Sequence, residues 1–309
     1  MTYEELQSEW ESESDFISCH TSGSTGVPKH IELPKHQVRA SALRTCSFFN
    51  IDKDSHLHSC ISPDFIGGKM MKIRSILSGA EFTYEKPSNR PFSDYSGEAI
   101  DLVSVVPSQM LHILEHPDLI PEVRCYLIGG APLPQQIKER ISAAGISAYE
   151  SYGMTETASH IALRKVDPDN KWFQTLDGIS VSLSPSGCMT IEIDGWQIFH
   201  TNDVAEVLSP TTFRILGRAD NVIITGGKKV FPEEVEHILN PLLSSPFFIS
   251  SLPDLKWGQK IVLSTTDTTH SDAFILDICR SALPGYMCPK EVIRINEIPL
   301  TSNGKIKRR

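Results

Sequence analysis

The sequence predicts an α/β fold, with a large N-terminal domain followed by a small α+β C-terminal domain. Between residues 56 and 145, short apolar runs alternate with helical patterns, and turns rich in glycine and proline separate them. This alternation is typical of right-handed crossovers and a mainly parallel sheet. After about residue 175, apolar and polar residues alternate between Ser-Pro turns. That second pattern predicts a subdomain of antiparallel β-hairpins.

The first predicted elements surround a glycine-rich segment. FISCH (16–20) is a short apolar run that predicts a strand leading directly into this segment. KHQVRASALRTCSFF (35–49) has apolar residues at helical spacing. HLHSCIS (56–62) predicts a second strand, and a helix is expected through KMMKIRSIL (69–77).

The next unit repeats this order. DLVSVV (101–106) predicts a buried strand, and PSQMLHILEH (107–116) predicts a helix with proline in its first turn. RCYLIGG (124–130) and PQQIKERISAAG (134–145) predict another strand and helix. Ligands bind at the carboxyl ends of strands in such sheets. We therefore expect four turns to line one crevice: the glycine-rich loop, PDFIGG, IGGAPL and SYGMTET.

The C-terminal part begins with RADNVIITGGKKVFPEEVEHIL (218–239). This stretch predicts a strand, a Gly-Gly turn and a helix that starts at Pro232. We place the domain boundary at Asp220, which gives domains of residues 1–219 and 220–309.

Composition excludes several classes of protein. A net charge of −9 and a pI near 5.7 argue against non-specific binding to nucleic acid or to an anionic membrane. The opening MTYEELQSEWESESD lacks the apolar region of an export signal, and no apolar run approaches the length of a membrane span. We expect a cytoplasmic protein whose partner is a small molecule.

The cysteines and histidines do not predict a resident metal. The seven cysteines are odd in number and form no CxxC pair, which is typical of reduced, buried thiols. His56 and His58 would share a strand face, but we assign them no nearby carboxylate or cysteine partners and expect no metal site there. The expected metal is therefore only one that a nucleotide brings with it.

The segment TSGSTGVPK (21–29) combines small hydroxyl residues, glycines and a cation. Exposed backbone amides and hydroxyls offer many hydrogen-bond donors without bulk, and the lysine adds a positive charge. The spacing differs from that of a P-loop. A solvated surface loop is the alternative. The residues concerned are Thr21, Ser22, Gly23, Ser24, Thr25, Gly26 and Lys29.

Six motifs occur in an order that resembles the adenylate-forming acyl-CoA synthetase superfamily. They are TSGSTGVPK, GGAPL (129–133), YGMTET (152–157), HTND (200–203), FRILGRADNVIITGGKKVFPEEVE (213–236) and LTSNGKIKR (300–308). They cover almost the whole chain. The resemblance implies an ATP-dependent acid–thiol ligase that works through an acyl-AMP intermediate, with a mobile C-terminal domain.

The resemblance also implies roles for single residues around ATP. The glycine-rich loop would hold the triphosphate, and Tyr152 would lie against the adenine. Thr155 would bond the α-phosphate and Glu156 would hold Mg²⁺. Asp203 would accept hydrogen bonds from the ribose hydroxyls, and Arg218 would lie beside them. Gly129, Gly130 and Ala131 would leave room for the adenine.

One local departure concerns the ribose motif. The superfamily usually has Thr-Gly-Asp where this chain has Thr201, Asn202 and Asp203. Because the aspartate is kept, we expect only a local change of turn.

By the same resemblance, Lys305 is the catalytic residue of the first step. Its charge would offset the repulsion between the attacking carboxylate and the α-phosphate. Asp220 matches the hinge, after which rotation would withdraw Lys305. The same rotation would bring Gly226 and Gly227 forward to let coenzyme A pass, so one site would run both half-reactions.

Three stretches resemble the o-succinylbenzoate–CoA ligases of menaquinone biosynthesis: FIGGKMMKIRSIL (65–77), SVVPSQML (104–111) and the ending TSNGKIKR. That substrate is an aromatic dianion, so its second carboxylate needs a polar or cationic partner. Lys69, Ser108 and Gln109 are the candidates. In the alternative, Lys69 faces solvent and Gln109 caps a helix.

Two other functions stay open: a CoA ligase for another small aryl or alkyl acid, and a non-catalytic adenylate-binding protein. Only 20 residues precede the glycine-rich loop, against well over one hundred in typical members of the superfamily. This difference puts the usual acyl-pocket walls in doubt. A homodimer is possible by analogy with the superfamily.

Overall fold

Five parallel strands form the centre of the first of two units in this computed structural model, which describes residues 1–21, 29–93, 95–300 and 306–308. The first unit comprises residues 1–133, 137–180 and 193–197. The second comprises residues 134–136, 181–192 and 198–309. The proposed hinge at Asp220 lies within the second unit and stays a prediction.

The predicted alternation of strands and helices is present between residues 56 and 145, with one additional strand at residues 81–84. The helices are α1 (Tyr3–Glu11), α2 (Lys35–Phe49), α3 (Ile66–Ser78), α4 (Pro107–Glu115) and α5 (Gln135–Ala143). The strands are β1 (Phe16–Thr21), β2 (Lys29–Pro34), β3 (His56–Ser59), β4 (Glu81–Tyr84), β5 (Leu102–Val105), β6 (Tyr126–Ile128), β7 (Ala148–Met154), β8 (Ser159–Lys165) and β9 (Phe173–Thr175). The chain leaves the first unit within β10 (Ile179–Leu183).

The parallel strands have the order β4-β3-β5-β6-β7, and β8 and then β9 continue the sheet in antiparallel orientation. Helices cover this sheet, so β3, β5 and β6 are buried along their whole length. Burial on both faces explains why these strands read as continuous apolar runs in the sequence. The predicted mixed α/β fold with a large sheet is confirmed.

The strand before the glycine-rich loop corrects one expectation. β1 pairs with β2 in a separate two-stranded antiparallel sheet, in register from Phe16 with Pro34 to Thr21 with Lys29. The loop therefore follows an antiparallel strand, not the carboxyl end of a parallel one, as we had expected. The polar sequence of β2 carries no period that would have predicted it.

The second unit contains a hairpin region and a smaller sheet. Its elements are β11 (Cys188–Ile193), β12 (Phe199–Ser209), β13 (Thr212–Arg218), β14 (Ile223–Thr225), β15 (Lys228–Val230), α6 (Pro232–Leu239), β16 (Phe247–Asp254), β17 (Gly258–Thr265), α7 (Asp272–Ala282) and β18 (Glu291–Arg294). The hairpins β11–β12 and β12–β13 are antiparallel, as predicted. In the smaller sheet, β18 runs parallel to β17 while the order β15-β14-β17-β16 is antiparallel.

All seven cysteines are unpaired thiols, and six of them are buried. Within the described ranges, no helix combines the length and the apolar character that crossing a membrane requires.

Candidate active site

The carboxyl ends of β6 and β7 place two of the predicted motifs at one edge of the first unit's sheet. Gly129 and Gly130 follow β6 directly, and Gly130 has a left-handed backbone with φ of 87°. A Cβ on Gly129 would lie 2.7 Å from the Ser151 hydroxyl oxygen. Side chains larger than hydrogen are therefore disfavoured at both positions, and the backbone of this turn stays open to a ligand.

A buried carboxylate fixes the turn after β6 to β7. Glu150 accepts a hydrogen bond of 3.2 Å from the backbone N–H of Leu133. Arg164 and Lys138 neutralise it at 2.5 and 3.4 Å. Since all three charged side chains are largely buried, losing one would leave an uncompensated charge in the interior. The network therefore holds the GGAPL turn in a defined position.

The turn at residues 155–157 presents the side chain predicted to bind magnesium. The Thr157 hydroxyl accepts the N–H of Met154 at 3.1 Å, and it lies 2.8 Å from the Ser159 carbonyl oxygen, to which it donates. Gly153 is required because a Cβ there would approach the Ser159 carbonyl oxygen to 2.3 Å. With this turn fixed, Glu156 is exposed. A single accessible carboxylate suits a magnesium ion shared with phosphate oxygens, so the residue present fits the predicted ion.

Tyr152 and Thr155 flank this turn. Tyr152 belongs to β7 and is partly buried, with its ring centroid 5.9 Å from that of Phe173. Thr155 is the first residue of the turn and is partly exposed. Both positions are compatible with the predicted contacts to adenine and to the α-phosphate, and those contacts stay predictions.

The predicted ribose site lies on the β12–β13 hairpin. Asp203 and Arg218 are cross-strand partners, and their side chains form an ion pair of 3.0 Å. The Asp203 side chain retains 15% of its exposure. Arg218 also contacts Asp220 at 3.1 Å. The hairpin therefore brings together the predicted ribose acceptor, its neighbouring cation and the predicted hinge residue.

Asn202 takes part in this cluster. Its side-chain amide donates to the Asp220 carboxylate at 3.3 Å. The residue that replaces the superfamily's glycine thus contacts the predicted hinge, an effect beyond the local change of turn that we expected.

Gly226 and Gly227 connect β14 to β15, with φ of 55° and 77°. A Cβ on Gly226 would lie 2.9 Å from the Trp257 ring, whereas a Cβ on Gly227 would meet nothing within 4 Å. The turn therefore has one packed glycine and one with open space beside it.

Several predicted residues lie outside the described residues: Ser22, Gly23, Ser24, Thr25, Gly26 and Lys305. Thr21 and Lys29 are described only by the backbone pairing of β1 with β2. Their predicted contacts with ATP stay predictions.

The chain on either side of residues 301–305 is held within the second unit. Leu300 pairs with Ile306 in an antiparallel bridge, and the N–H of Lys307 donates to the Pro299 carbonyl at 2.8 Å. Arg308 pairs with Glu236 and donates to the Ile249 carbonyl at 2.8 Å. Residues 306–308 are therefore anchored within this unit.

The three substrate candidates differ in their surroundings. Lys69 is 2% exposed, and its ammonium donates to the Met1 sulfur at 2.7 Å, so the alternative in which it faces solvent is wrong. Ser108 is exposed and donates to Asn89 at 3.2 Å. Gln109 accepts from the Val106 N–H and donates to the carbonyls of Cys60 and Ser88. The side-chain amide of Gln109 is thus hydrogen-bonded to backbone groups of the protein. Substrate binding by Lys69, Ser108 and Gln109 stays a prediction.

Arg74 is a functional candidate that the sequence reasoning missed. Its side chain is 1% exposed, and its Nε and Nη2 atoms make no hydrogen bond with any described residue. Among the described residues, Nη1 donates only to the weakly accepting Met71 sulfur, at 3.5 Å. Burial lowers the pKa of Arg74 to about 10, so the guanidinium stays charged at neutral pH. A buried cation without an anion partner costs free energy, and such a group suits an anionic ligand.

The sequence contained a signal for Arg74. Met70, Ile73, Arg74 and Leu77 have the spacing of one helical face, and this face of α3 packs into the core. An arginine on an apolar helix face is unusual, and this makes Arg74 a stronger candidate than Lys69. Lys69 was chosen only because it follows two glycines.

His160 of β8 lies close to Arg74. Its Nε2 is 3.0 Å from the Thr45 hydroxyl of α2. Burial, and secondarily the charge of Arg74, hold the pKa of His160 well below its usual range. The neutral imidazole therefore adds no second positive charge beside the guanidinium.

The chain belongs to the AMP-binding enzyme family, whose model matches residues 3–182. Membership confirms the predicted resemblance and agrees with the predicted class, an AMP-forming acid–thiol ligase. Among curated relatives, the 2-succinylbenzoate–CoA ligase of Listeria monocytogenes is 28% identical over 94% of this chain and 68% of its own length. The enzyme of the same name from Bacillus cereus is 26% identical over 98% and 71%.

Solved structures show the same fold. An acyl-CoA synthetase (AMP-forming)/AMP-acid ligase II-like protein from Dyadobacter fermentans is 30% identical, with a TM-score of 0.66, and the match covers all of this chain and 92% of that one. The o-succinylbenzoate CoA synthetase of Bacillus subtilis, in complex with its acyl-adenylate intermediate, has a TM-score of 0.82 at 21% identity. That match covers 94% of this chain and 67% of the Bacillus chain.

Proposed function

We propose that this protein joins o-succinylbenzoate to coenzyme A, using ATP and passing through an acyl-AMP intermediate. The family and the names of its curated relatives support the reaction class. The observation that carries the choice of a dianionic substrate is Arg74, a buried guanidinium with two nitrogen atoms unpaired among the described residues.

The chemistry of the substrate matches this cation. One carboxylate of o-succinylbenzoate reacts at phosphorus, and the second would have to enter a mostly apolar pocket without losing its charge. A guanidinium presents parallel N–H donors that match a carboxylate. Pairing with Arg74 would offset the desolvation of both ions, whereas a monoanionic aryl acid would leave Arg74 unpaired.

In the first half-reaction, an oxygen of the reacting carboxylate attacks the α-phosphorus of ATP. A bond forms between that oxygen and phosphorus, the bond to the β-phosphate oxygen breaks, and pyrophosphate leaves. We assign to Lys305 the stabilisation of the charge that develops between the two anions. Thr155 would donate a hydrogen bond to the α-phosphate.

In the second half-reaction, the sulfur of coenzyme A attacks the acyl carbon of the adenylate. The carbon–sulfur bond forms, the carbon–oxygen bond to phosphate breaks, and AMP leaves. Gly226 and Gly227 would let the CoA arm approach the backbone, after rotation of residues 220–309 about Asp220. Two domains of residues 1–219 and 220–309 are part of this proposal.

We assign nucleotide binding to residues of the GGAPL, YGMTET and HTND motifs and to Arg218. Glu156 would hold Mg²⁺, which supplies charge neutralisation of the phosphates when bound. Tyr152, with Gly129, Gly130 and Ala131, would contact the adenine. Asp203 would accept hydrogen bonds from the two ribose hydroxyls, and its ion pair with Arg218 would hold the carboxylate in place.

The test is a panel of acids incubated with the purified protein, ATP, Mg²⁺ and coenzyme A, read by pyrophosphate release and by chromatography of the thioester. We expect o-succinylbenzoate to give the highest kcat/KM and benzoate, which lacks the second carboxylate, to give at most a few per cent of it. Preference for a monoanionic aryl or alkyl acid would replace the proposed substrate. No pyrophosphate release with any acid would favour a non-catalytic adenylate-binding protein.

A further inference from the structure

A trio of side chains at the ends of β3 and β4 lies outside the groups assigned above. His58, Cys60 and Glu85 bring one nitrogen, one sulfur and one oxygen ligand atom within 4.8 Å of one another. His58 and Cys60 are 1% and 0% exposed, and Glu85 is half-buried. The expectation that His58 has no nearby cysteine partner was wrong, since Cys60 stands only two residues away. Glu85 could not be predicted as a neighbour, because it is distant from both in the sequence.

The sheet itself produces this proximity. β3 and β4 are parallel, and their register pairs His58 with Thr83 and Ser59 with Tyr84. Cys60 and Glu85 directly follow the paired residues Ser59 and Tyr84, so they lie next to each other at the ends of the two strands. Residues two apart on a strand share a face, which places His58 beside the same point.

One nitrogen of His58 has no partner among the described residues. Its Nδ1 lies 2.8 Å from the Thr83 hydroxyl, whereas its Nε2 is buried and makes no hydrogen bond with any described side chain or backbone group. A buried polar atom without a partner is costly, and a metal ion would satisfy it. This is the observation that distinguishes the trio from an ordinary buried histidine.

Hydrogen bonds hold each of the three residues in place. Thr83 can fix the ring orientation and tautomer of His58 through Nδ1. The N–H of Phe92 donates to both oxygens of Glu85, at 3.0 and 2.9 Å. Gln109 donates to the Cys60 carbonyl at 2.9 Å, which holds the backbone of the third ligand.

We propose that His58, Cys60 and Glu85 form a binding site for a zinc ion. Thiolate and imidazole together favour zinc over magnesium or calcium, and three protein ligands leave a fourth, tetrahedral position for water. Zinc bonds of about 2.0–2.3 Å place ligand atoms about 3.3–3.8 Å apart, so the trio needs only a small inward movement. On binding, the Cys60 thiol gives up its proton to solvent and the zinc–sulfur bond forms.

Bound zinc would connect the loop between Glu85 and Phe92 to the central strand β3. Its role is therefore distinct from that of Mg²⁺, which would enter with ATP at Glu156. The proposal does not depend on the proposed acid substrate.

The experiment uses the full chain, reduced and freed of metal with a chelator. Zn²⁺ is titrated in competition with a chromophoric chelator, and Co²⁺ is added separately to monitor thiolate-to-cobalt charge transfer. We expect one equivalent of tightly bound zinc, a charge-transfer band, and a higher thermal midpoint with zinc. Cys60→Ser and His58→Gln should each abolish the band, and Thr83→Val should weaken zinc binding about 10- to 100-fold.

Two matched variants separate this site from other thiols and histidines. Cys125→Ser removes another buried thiol, and His112→Gln removes a histidine of α4 whose ring lies against that of His116; both variants should bind zinc like the unaltered chain. Circular dichroism confirms that each variant is folded. The proposal is overturned if the folded, reduced protein takes up no stoichiometric zinc. It is equally overturned if folded Cys60→Ser keeps the band or if His112→Gln loses it.

Discussion

At the residue scale, the most informative side chain is Arg74, because its burial costs stability unless an anionic ligand pairs with its guanidinium. Enzymes commonly keep such destabilising groups where function needs them. In this protein the uncompensated charge lies on the core face of α3, and we propose that the second carboxylate of the substrate would supply the missing anion.

Arg74→Met tests this assignment. Because methionine removes the buried charge and keeps much of the volume, the free energy of unfolding without ligands should rise by at least about 1 kcal/mol. Loss of the charged hydrogen bonds should raise the KM for o-succinylbenzoate about 10- to 100-fold. Chemical denaturation and steady-state kinetics measure the two effects.

Lys69→Met is the matched comparison, since Lys69 is the other buried cation of α3. If Lys69 instead binds the second carboxylate, its variant will show the rise in KM and Arg74→Met will not. A fall in stability with unchanged KM in Arg74→Met would assign Arg74 a purely structural role.

His160 gives a prediction for pH. Its pKa in the folded chain lies well below the ordinary value of 6.5, so the unfolded chain binds the proton more readily. Stability should therefore fall as the pH drops below about 6.5, by up to about 1.4 kcal/mol per pH unit for this group. Denaturant midpoints between pH 7 and 5 should show a smaller slope for His160→Gln. The exposed His36→Gln variant should keep the full slope, and an unchanged slope in His160→Gln would contradict this account.

At the element scale, α6 anchors the chain that follows the predicted catalytic lysine. Arg308 bridges Glu236 of α6 and the Ile249 carbonyl of β16, and the Glu236 carboxylate also accepts the Ile249 N–H at 2.7 Å. The pair ties the end of the chain to the core of the second unit. We expect this tie to matter for adenylation, because Arg308 follows Lys305 by only three residues in the sequence.

Arg308→Leu should cost about 3–5 kcal/mol of stability in the second unit, because Glu236 would remain buried without its partner. Lys307→Leu changes the exposed neighbour and should cost less than about 0.5 kcal/mol. Hydrogen exchange of α6 and β16 amides measures the local effect. Equal protection in the two variants would show that the ion pair does not anchor the chain.

Individual elements also show how far the sequence could predict the fold. α2, α4 and α6 were predictable because helical spacing, and in two cases an initial proline, mark them. β2 and β4 were not predicted, since short strands with mixed residues have no distinctive period. α1 was also missed, although Thr2 and Glu5 form a capping box that marks its start.

At the scale of the whole molecule, motif order predicted the family, whereas the chemistry of burial could not be predicted. Which charges enter the core depends on tertiary packing. Arg74 was therefore overlooked. The proximity of His58, Cys60 and Glu85 was not predicted either, because it depends on the parallel register of β3 and β4. The contacts of the glycine-rich loop and of Lys305 with ATP stay predictions.

We propose that Lys305 drives adenylation and takes no part in thioester formation. The most direct measurement compares two half-reactions in Lys305→Ala: exchange of labelled pyrophosphate into ATP that depends on o-succinylbenzoate, and thioester formation from supplied acyl-AMP and coenzyme A. We predict that exchange falls by about 100-fold or more while thioester formation stays within about threefold of the unaltered chain. Lys307→Ala should leave both unchanged. Equal loss of the two half-reactions, or retained exchange, would contradict the account.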